Sequence, residues 1–327
     1  MENNPLRPEI DPYIPETLEA SFDFDEGGKK GVWKSIRNKN NGGVVEVESF
    51  RSNNPESHEK VVFIPGMPGD SVTWMKERYL DDLLHAGYDF DSLRHCGLKV
   101  TENTHAYVAN KSREERGGII GKVEARIKDW FEEVSVLFDY LEQTEHKDIT
   151  VVSHSLGGLA VAIALLNSSD AAQKKIKKWI NLSGATSASN DLEKPEFIEG
   201  LKTYVDQFVS PLYDFDTHVD ASGDIFEKVK EFNSLLQAGK GLGSVRLISV
   251  YPEKDTLVNI ASGEHIHENL STGLLIDDKS ATDEVYGEAI QKNPFIIHDH
   301  PHLESSTLVR LLDMKVSKIP HRVTVKK

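Results

Sequence analysis

Ser155 lies where the sequence changes abruptly from strand-like to helix-like residues. Residues 149–152 are rich in β-branched side chains, and the serine is followed by Leu156, two glycines and a run of Leu, Ala, Val and Ile. This pattern predicts a buried strand that turns at once into a buried helix. Small residues flank the turn at Ser153 and Gly157, as in the G-x-S-x-G motif, whose strained backbone presents the serine hydroxyl above the sheet. Ser155 is therefore a candidate nucleophile.

The same turn supplies a candidate oxyanion donor. The N–H of Leu156 comes at the predicted start of the helix, where it can stabilise a developing negative charge. A serine can also simply end a buried strand. The catalytic interpretation therefore requires an acid, a base and a second oxyanion donor elsewhere in the chain.

A cluster of histidines lies near the end of the chain, between a predicted strand at 294–298 and a predicted helix at 307–314. Its members are His298, Asp299, His300 and His302. Histidine is the commonest general base for a serine nucleophile. Histidine and carboxylate groups also suit zinc or iron, and His265 and His267 could complete such a set. A metal site is thus a second interpretation, although it leaves the serine turn unexplained.

The elements around these residues alternate between strands and helices. The predicted sheet strands are residues 61–64, 149–152, 178–183 and 245–250. Residues 121–143 have the apolar periodicity of an amphipathic helix that leads into the serine strand. This alternation predicts an α/β fold with a mostly parallel central sheet and helices on both faces. Residues 32–36 and 44–50 predict an antiparallel hairpin ahead of it.

The serine turn and a second loop together resemble the α/β-hydrolase superfamily. That loop, Pro65-Gly66-Met67-Pro68-Gly69, follows the strand at 61–64. It is similar to the Pro-Gly loop of lipase-like members. The resemblance covers about residues 32–312 and implies that the N–H of Met67 is the second oxyanion donor, beside that of Leu156. A proline where many members have histidine leaves this role intact, because the donor is a backbone group.

The resemblance also indicates the catalytic acid. The strand at 245–250 is followed by Tyr-Pro-Glu-Lys-Asp, which resembles the acid loop of the superfamily, with an apolar residue three positions after the aspartate. Asp255 is therefore the expected acid, whose role is to orient the catalytic imidazole. Asp224, Asp277 and Asp278 are weaker alternatives.

The base implied by the resemblance is His300. The spacing His300-x-x-Leu303 matches that by which members of the superfamily set the catalytic histidine ahead of the final helix. His302 is the nearest competitor, since it lies close to the predicted helix start. His298 is assigned to the end of the last strand.

Composition limits the partners and the compartment. The 327 residues include 53 acidic and 38 basic side chains, for a net charge of −15. This charge argues against nucleic acid or an anionic membrane as the main partner. No segment approaches the length of a transmembrane span, and the single cysteine, Cys96, excludes an intramolecular disulfide. We expect a cytoplasmic protein without a transmembrane segment.

The predicted domain organisation has three parts. Residues 1–30 form an N-terminal extension, residues 31–186 and 244–327 form the α/β-hydrolase core, and residues 187–243 form a helical cap over the serine. The cap is inferred from helical patches that interrupt the strand pattern at a point where the superfamily commonly carries a lid. Alternatively, these helices extend the core layer.

Together these features predict a serine hydrolase that cleaves a carboxylic ester through Ser155, His300 and Asp255 and an acyl-enzyme intermediate. The expected substrate is a small-molecule ester with an apolar acyl group, and the mechanism needs no metal and no organic cofactor. Acyltransferases and thioesterases share the superfamily. A metal-dependent hydrolase and a non-catalytic binding protein are the alternatives.

Overall fold

The computed structural model describes thirteen parts of the chain. These are residues 18–26, 29–37, 44–52, 59–66, 80–93, 127–185, 221–255, 258, 260–270, 273–280, 297–298, 305–313 and 321–325.

The described residues form one twisted layer of strands. The strands are β1 (Leu18–Glu26), β2 (Lys29–Arg37), β3 (Val44–Phe50), β4 (Glu59–Ile64), β5 (Asp89–Leu93), β6 (Asp148–His154), β7 (Ile176–Leu182), β8 (Arg246–Pro252), β9 (Gly273–Asp278) and β10 (His321–Val325). Within the described ranges the sheet has ten strands in the order β1-β2-β3-β5-β4-β6-β7-β8-β9-β10. The seven strands from β5 to β10 in that order are parallel. The predicted mostly parallel sheet is confirmed, and β2 and β3 form the predicted antiparallel hairpin.

Helices cover both faces of this sheet. They are α1 (Ile127–Gln143), α2 (Gly157–Asn167), α3 (Asp170–Lys175), α4 (Ala221–Gln237), α5 (Ile260–Leu270) and α6 (Ser305–Asp313), and residues 80–85 are also helical. Alternate side chains of β4 enter different cores: Val62 and Ile64 pack with α1, α2, α4 and α5, whereas Val61 and Phe63 pack with residues 80–85 and α6. Burial on both faces explains why the sequences of these parallel strands are continuous apolar runs.

Helix α2 is buried on all sides. Each of its residues from Gly157 to Leu166 is buried, because α1 and α4 pack against the side that faces away from the sheet. A helix that is apolar all round is stable only in such a position. The helix that follows Ser155 is therefore held inside the core, and its first turn is fixed by packing.

Several strands lie outside the sequence-based predictions. β1 falls in the segment predicted as an N-terminal extension and pairs antiparallel with β2. β5 reads Asp-Phe-Asp-Ser-Leu, and its central Asp91 is buried in an ion pair with Lys60, whose Nζ lies 2.7 Å from the carboxylate. The pattern of apolar runs does not predict this strand, because two of its five residues are acidic. β9 and β10 were also not predicted.

The second half of the predicted cap packs into the core layer. Ile225, Val229 and Phe232 of α4 belong to the same buried cluster as α1 and α2. For α4, the structure therefore agrees with the alternative interpretation, in which these helices extend the core layer. The remainder of the predicted cap, residues 187–220, lies outside the described residues, so a cap there stays a prediction.

Candidate active site

Ser155 occupies a tight turn between β6 and α2. Its φ of 52° is in the left-handed region, which a serine rarely adopts without support. Three backbone hydrogen bonds supply this support: the N–H of Ser155 donates to the carbonyl of Leu182 (3.0 Å), and its carbonyl accepts from the N–H groups of Gly158 (2.9 Å) and Ala185 (2.9 Å). Ser155 is partly exposed, while the residues on either side of it are buried. The predicted strand-turn-helix geometry is thus present.

The Pro65-Gly66 loop packs directly against this turn. A Cβ built on Gly66 would lie 2.7 Å from the Cβ of Ser155, so only a glycine allows this approach. Gly157 has the reciprocal role, because a Cβ there would lie 2.5 Å from the carbonyl oxygen of Pro65. The two segments expected to carry oxyanion donors are therefore neighbours in space. Met67 itself lies outside the described residues.

Leu156 is the N-cap residue of α2. The first N–H groups of a helix have no acceptor within the helix, and they concentrate partial positive charge at its start. The predicted role of the Leu156 N–H as an oxyanion donor is compatible with the position of Leu156 at the start of α2. It stays a prediction, as does the role of Met67.

A buried chain of side-chain hydrogen bonds lies behind the turn. The indole Nε1 of Trp179 donates to the Ser153 hydroxyl (2.8 Å), and that hydroxyl donates to Oδ1 of Asn181 (3.0 Å). Nδ2 of Asn181 donates to the Tyr251 hydroxyl (3.2 Å), which donates to the Gly184 carbonyl (2.7 Å). This chain of hydrogen bonds links β6, β7 and β8. Ser153, at the first position of the G-x-S-x-G pattern, takes part in it as both acceptor and donor. An asparagine within the apolar strand β7 was the sequence signal for it.

Asp255 lies directly after β8, at the same edge of the sheet as Ser155. Its N–H donates to the Pro252 carbonyl (3.1 Å), and its Oδ1 accepts from the N–H of Val258 (3.0 Å). Its Oδ2 accepts from Nδ1 of His298 at 2.8 Å. Both side chains of this pair are buried. Val258, the apolar residue three positions after Asp255, thus closes the acid loop with its backbone N–H.

The histidine that contacts Asp255 is His298. The strand assignment for this residue is not what the structure shows, since residues 297–298 lie in a turn. From this turn the imidazole reaches Asp255 in the loop after β8. Asp299 and the two histidines favoured by spacing, His300 and His302, lie outside the described residues.

His298 also contacts the residue before the nucleophile. The imidazole rings of His154 and His298 have centroids 4.8 Å apart and are tilted by 48°. Nε2 of His154 lies 3.2 Å from the backbone carbonyl of His298. The structure therefore brings the Asp255–His298 pair to His154 at the end of β6, one residue before Ser155.

The structure also places several of the other predicted candidates. Asp277 and Asp278 end β9, and Asp224 lies in the first turn of α4. His267 lies on α5, where its Nε2 is 3.1 Å from the Ser249 hydroxyl, and burial lowers its pKa to about 4. Across the described ranges, no three histidine, cysteine or acidic side chains are grouped so that they could hold a metal ion.

The parts of the chain that the structure describes contain no helix both long and apolar enough to cross a membrane. The cytoplasmic location expected from the sequence stays a prediction.

Two solved structures with a similar fold are an esterase and a hydrolase. The esterase EaEST from Exiguobacterium antarcticum matches with a TM-score of 0.50 at 15% identity, over 86% of this chain and 99% of that one. A 2,6-dihydroxy-pseudo-oxynicotine hydrolase matches with a TM-score of 0.51 at 15% identity, over 92% and 70% of the two chains. The chain has the α/β-hydrolase fold. The family model for lecithin:cholesterol acyltransferase matches residues 71–192, which include Ser155. A search of curated protein sequences gives no match.

The α/β-hydrolase fold explains why residues far apart in the sequence lie at one edge of the sheet. Ser155 follows β6, Asp255 follows β8 and His298 precedes α6, so the three come from distant parts of the sequence. The carboxyl ends of parallel strands lie at one edge of the sheet, where ligands of open α/β sheets bind. An imidazole that donates through Nδ1 to a carboxylate keeps the lone pair on Nε2, which is the state that a general base requires.

Proposed function

We propose that this protein is a serine hydrolase that cleaves carboxylic esters, with Ser155 as the nucleophile, His298 as the base and Asp255 as the acid. The observation that carries the proposal is the 2.8 Å contact between Asp255 and His298. His298 also contacts His154, the residue before Ser155, whose backbone is left-handed. His298 replaces His300 in the triad, because His298 is the histidine in contact with Asp255.

The proposed reaction follows from these positions. Nε2 of His298 accepts the Ser155 proton while the serine oxygen attacks the ester carbonyl carbon, and the Leu156 and Met67 N–H groups stabilise the oxyanion. The tetrahedral intermediate collapses, and the imidazolium gives its proton to the departing alkoxide. Water then attacks the acyl-enzyme with His298 as base, which releases the carboxylic acid and restores the serine. Asp255 stabilises the imidazolium in each half-reaction.

The substrate proposed from the sequence is a small-molecule ester with an apolar acyl group. Its support is the resemblance to lipase-like proteins and the predicted helical cap, now limited to residues 187–220. Acyl transfer to an alcohol is a second candidate, favoured by the acyltransferase family model that matches the segment around Ser155. Both reactions use the same acyl-enzyme and differ in whether water or an alcohol attacks it.

The test is labelling with a fluorophosphonate, followed by mass-spectrometric mapping of the adduct. We expect one adduct on Ser155, its loss in Ser155→Ala, and a fall of about 10³-fold or more in ester turnover in His298→Ala. His300→Ala and His302→Ala are matched controls, and both should retain most turnover. Turnover lost in His300→Ala and kept in His298→Ala would contradict the assignment of the base.

Two further results would reject the proposal itself. Folded wild-type protein that is neither labelled nor able to release nitrophenol from a nitrophenyl butyrate ester would indicate a binding protein. Turnover that survives Ser155→Ala but is abolished by a chelator would indicate a metal-dependent hydrolase. Adding glycerol or a fatty alcohol to the wild-type reaction and measuring new ester separates acyl transfer from hydrolysis.

A further inference from the structure

His154 contacts the proposed base through two different groups. Its Nε2 lies 3.2 Å from the backbone carbonyl of His298, and its ring packs on the His298 ring with centroids 4.8 Å apart. His154 is buried, with 4% of its surface exposed. The proposed mechanism does not use this side chain. We propose that His154 is a positioning residue that holds the His298 imidazole over Ser155, an inference that rests on the proposed function.

The first contact fixes the protonation of one nitrogen. A backbone carbonyl only accepts hydrogen bonds, so Nε2 of His154 must carry a proton and donate it. The acceptor belongs to the main chain of His298, whereas Asp255 holds the side chain of the same residue through Nδ1. The base is thus held at two points, by side chains that come from β6 and from the loop after β8.

Two points of contact are needed because residues 297–298 lie in a turn. The main chain of a turn is not held by a ladder of sheet hydrogen bonds. The bond to Asp255 fixes Nδ1 but allows the ring and its backbone to swing about that point. The bond from His154 removes this freedom, and the ring contact limits the tilt of the imidazole plane.

His154 is also the residue that precedes the nucleophile. It therefore links His298 to β6 directly, one residue from Ser155. On its other side it lies close to the Pro65-Gly66 loop, since a Cβ on Gly66 would be 3.3 Å from its Nδ1. Any displacement of His154 is consequently transmitted to the base and to the loop beside the serine. A displacement of about 1 Å in such a site can reduce turnover about 100-fold.

The test compares His154→Gln with His154→Asn. The glutamine amide nitrogen reaches the place of Nε2 and keeps the donor, whereas the asparagine amide is one bond shorter and cannot reach the carbonyl. We expect His154→Asn to lower kcat about 10- to 100-fold with KM changed less than about twofold, and His154→Gln to recover most of that loss. Equal kcat values for the two variants and the wild type would overturn the proposal.

A second measurement separates positioning from general stability. In a His298→Ala background, His154→Asn should cause no further loss of kcat, because the group it positions is gone. A further loss as large as in the wild-type background would overturn the proposal. If His154→Asn fails to fold, His154→Phe takes its place in the test. The phenylalanine ring keeps the contact with His298 but has no hydrogen-bond donor, so we expect kcat to fall in this variant as well. His267→Gln, on α5, is a matched buried-histidine control and should keep wild-type kcat.

The two possible failures are distinguishable. If the wild type is neither labelled at Ser155 nor active on esters, the proposed function fails and the role of His154 fails with it. If the wild type is active and His298→Ala is not, while His154→Asn retains full kcat, only the positioning role is wrong.

Discussion

The two edges of the parallel sheet each bury an aspartate with a nitrogen partner at nearly the same distance. At the carboxyl edge, Asp255 lies 2.8 Å from Nδ1 of His298. At the amino edge, Asp91 lies 2.7 Å from Nζ of Lys60, beside a cavity of about 50 Å³ that Lys34 and Tyr140 also line. All four side chains of the two pairs are at most 4% exposed. Distance and burial alone therefore do not distinguish the catalytic candidate from the structural pair.

What differs is the chemistry of the partner and its surroundings. Lysine is a point charge with no second nitrogen, so Lys60 can only neutralise Asp91. Burial by itself would raise the pKa of Asp91, but the charges of Lys60 and Lys34 outweigh this effect and lower the pKa to about 2. Histidine has a second ring nitrogen that can take up and release a proton, and His298 contacts His154, the residue before a partly exposed serine. A functional pair needs a group that can change its protonation state near an accessible reactive atom.

The sharpest test of this difference makes the same substitution at both edges. Asp255→Asn should lower kcat by about 10³- to 10⁴-fold, because the neutral amide no longer stabilises the imidazolium and its NH2 group can favour the wrong imidazole tautomer. Asp91→Asn should leave kcat within about twofold of the wild type but lower the free energy of unfolding by about 3 kcal/mol, because the Lys60 charge is left without its partner. Ester turnover and urea unfolding of the two variants measure both quantities. If Asp91→Asn also abolished kcat, the two edges would not be functionally separate.

Removing the charge at Lys60 tests whether the amino edge is structural. Lys60→Met should lower the free energy of unfolding by about 3 to 5 kcal/mol, since the buried carboxylate loses the ammonium group that it contacts. The double variant Lys60→Met/Asp91→Leu should recover most of this loss, because neither charge remains to be desolvated. Urea unfolding of the single and double variants measures how much of the lost free energy of unfolding the second substitution restores. A double variant as unstable as Lys60→Met would show that the pair stabilises the fold through the packing of its aliphatic carbons and not through its charges.

The carboxyl edge can be disturbed without changing a charged group. Gly66→Ala places a Cβ 2.7 Å from the Cβ of Ser155, so the loop or the nucleophile must move. We expect kcat to fall about 10-fold or more. Gly241→Ala is the matched control, because a Cβ there meets no atom within 4 Å. Unchanged kcat in Gly66→Ala would show that the loop does not constrain the serine.

The low pKa of Asp91 also predicts a loss of stability in acid. A carboxyl group whose folded pKa lies below its unfolded value of 3.8 stabilises the fold fully above pH ~4 and loses this contribution as the pH falls toward 2. The loss should be about 2 kcal/mol. Urea unfolding between pH 5 and pH 2 should show it in the wild type but not in Lys60→Met/Asp91→Leu. Parallel pH curves for the two proteins would contradict a specific role for this carboxylate.

Local sequence was sufficient for the parts of the site that depend on backbone conformation. The β-branched run, the small residues and the apolar helix around Ser155 predict the turn that the structure contains, because a strand and a helix can pass that closely only at small side chains. The position of Asp255 could also be predicted, since the end of a parallel strand is a fixed place in the fold. The acidic strand β5 could not, because its burial depends on Lys60, which lies 31 residues away.

The sequence by itself determined the fold class, the serine turn and the strand end that carries the acid, because each follows from the pattern of side chains along a short segment. Only the tertiary structure decided which histidine meets Asp255, that His154 contacts this histidine, and that α4 belongs to the core layer. These are contacts between residues 43 and 144 positions apart, or between helices. Spacing within a segment cannot specify them, since they depend on where a turn directs a side chain across the edge of the sheet.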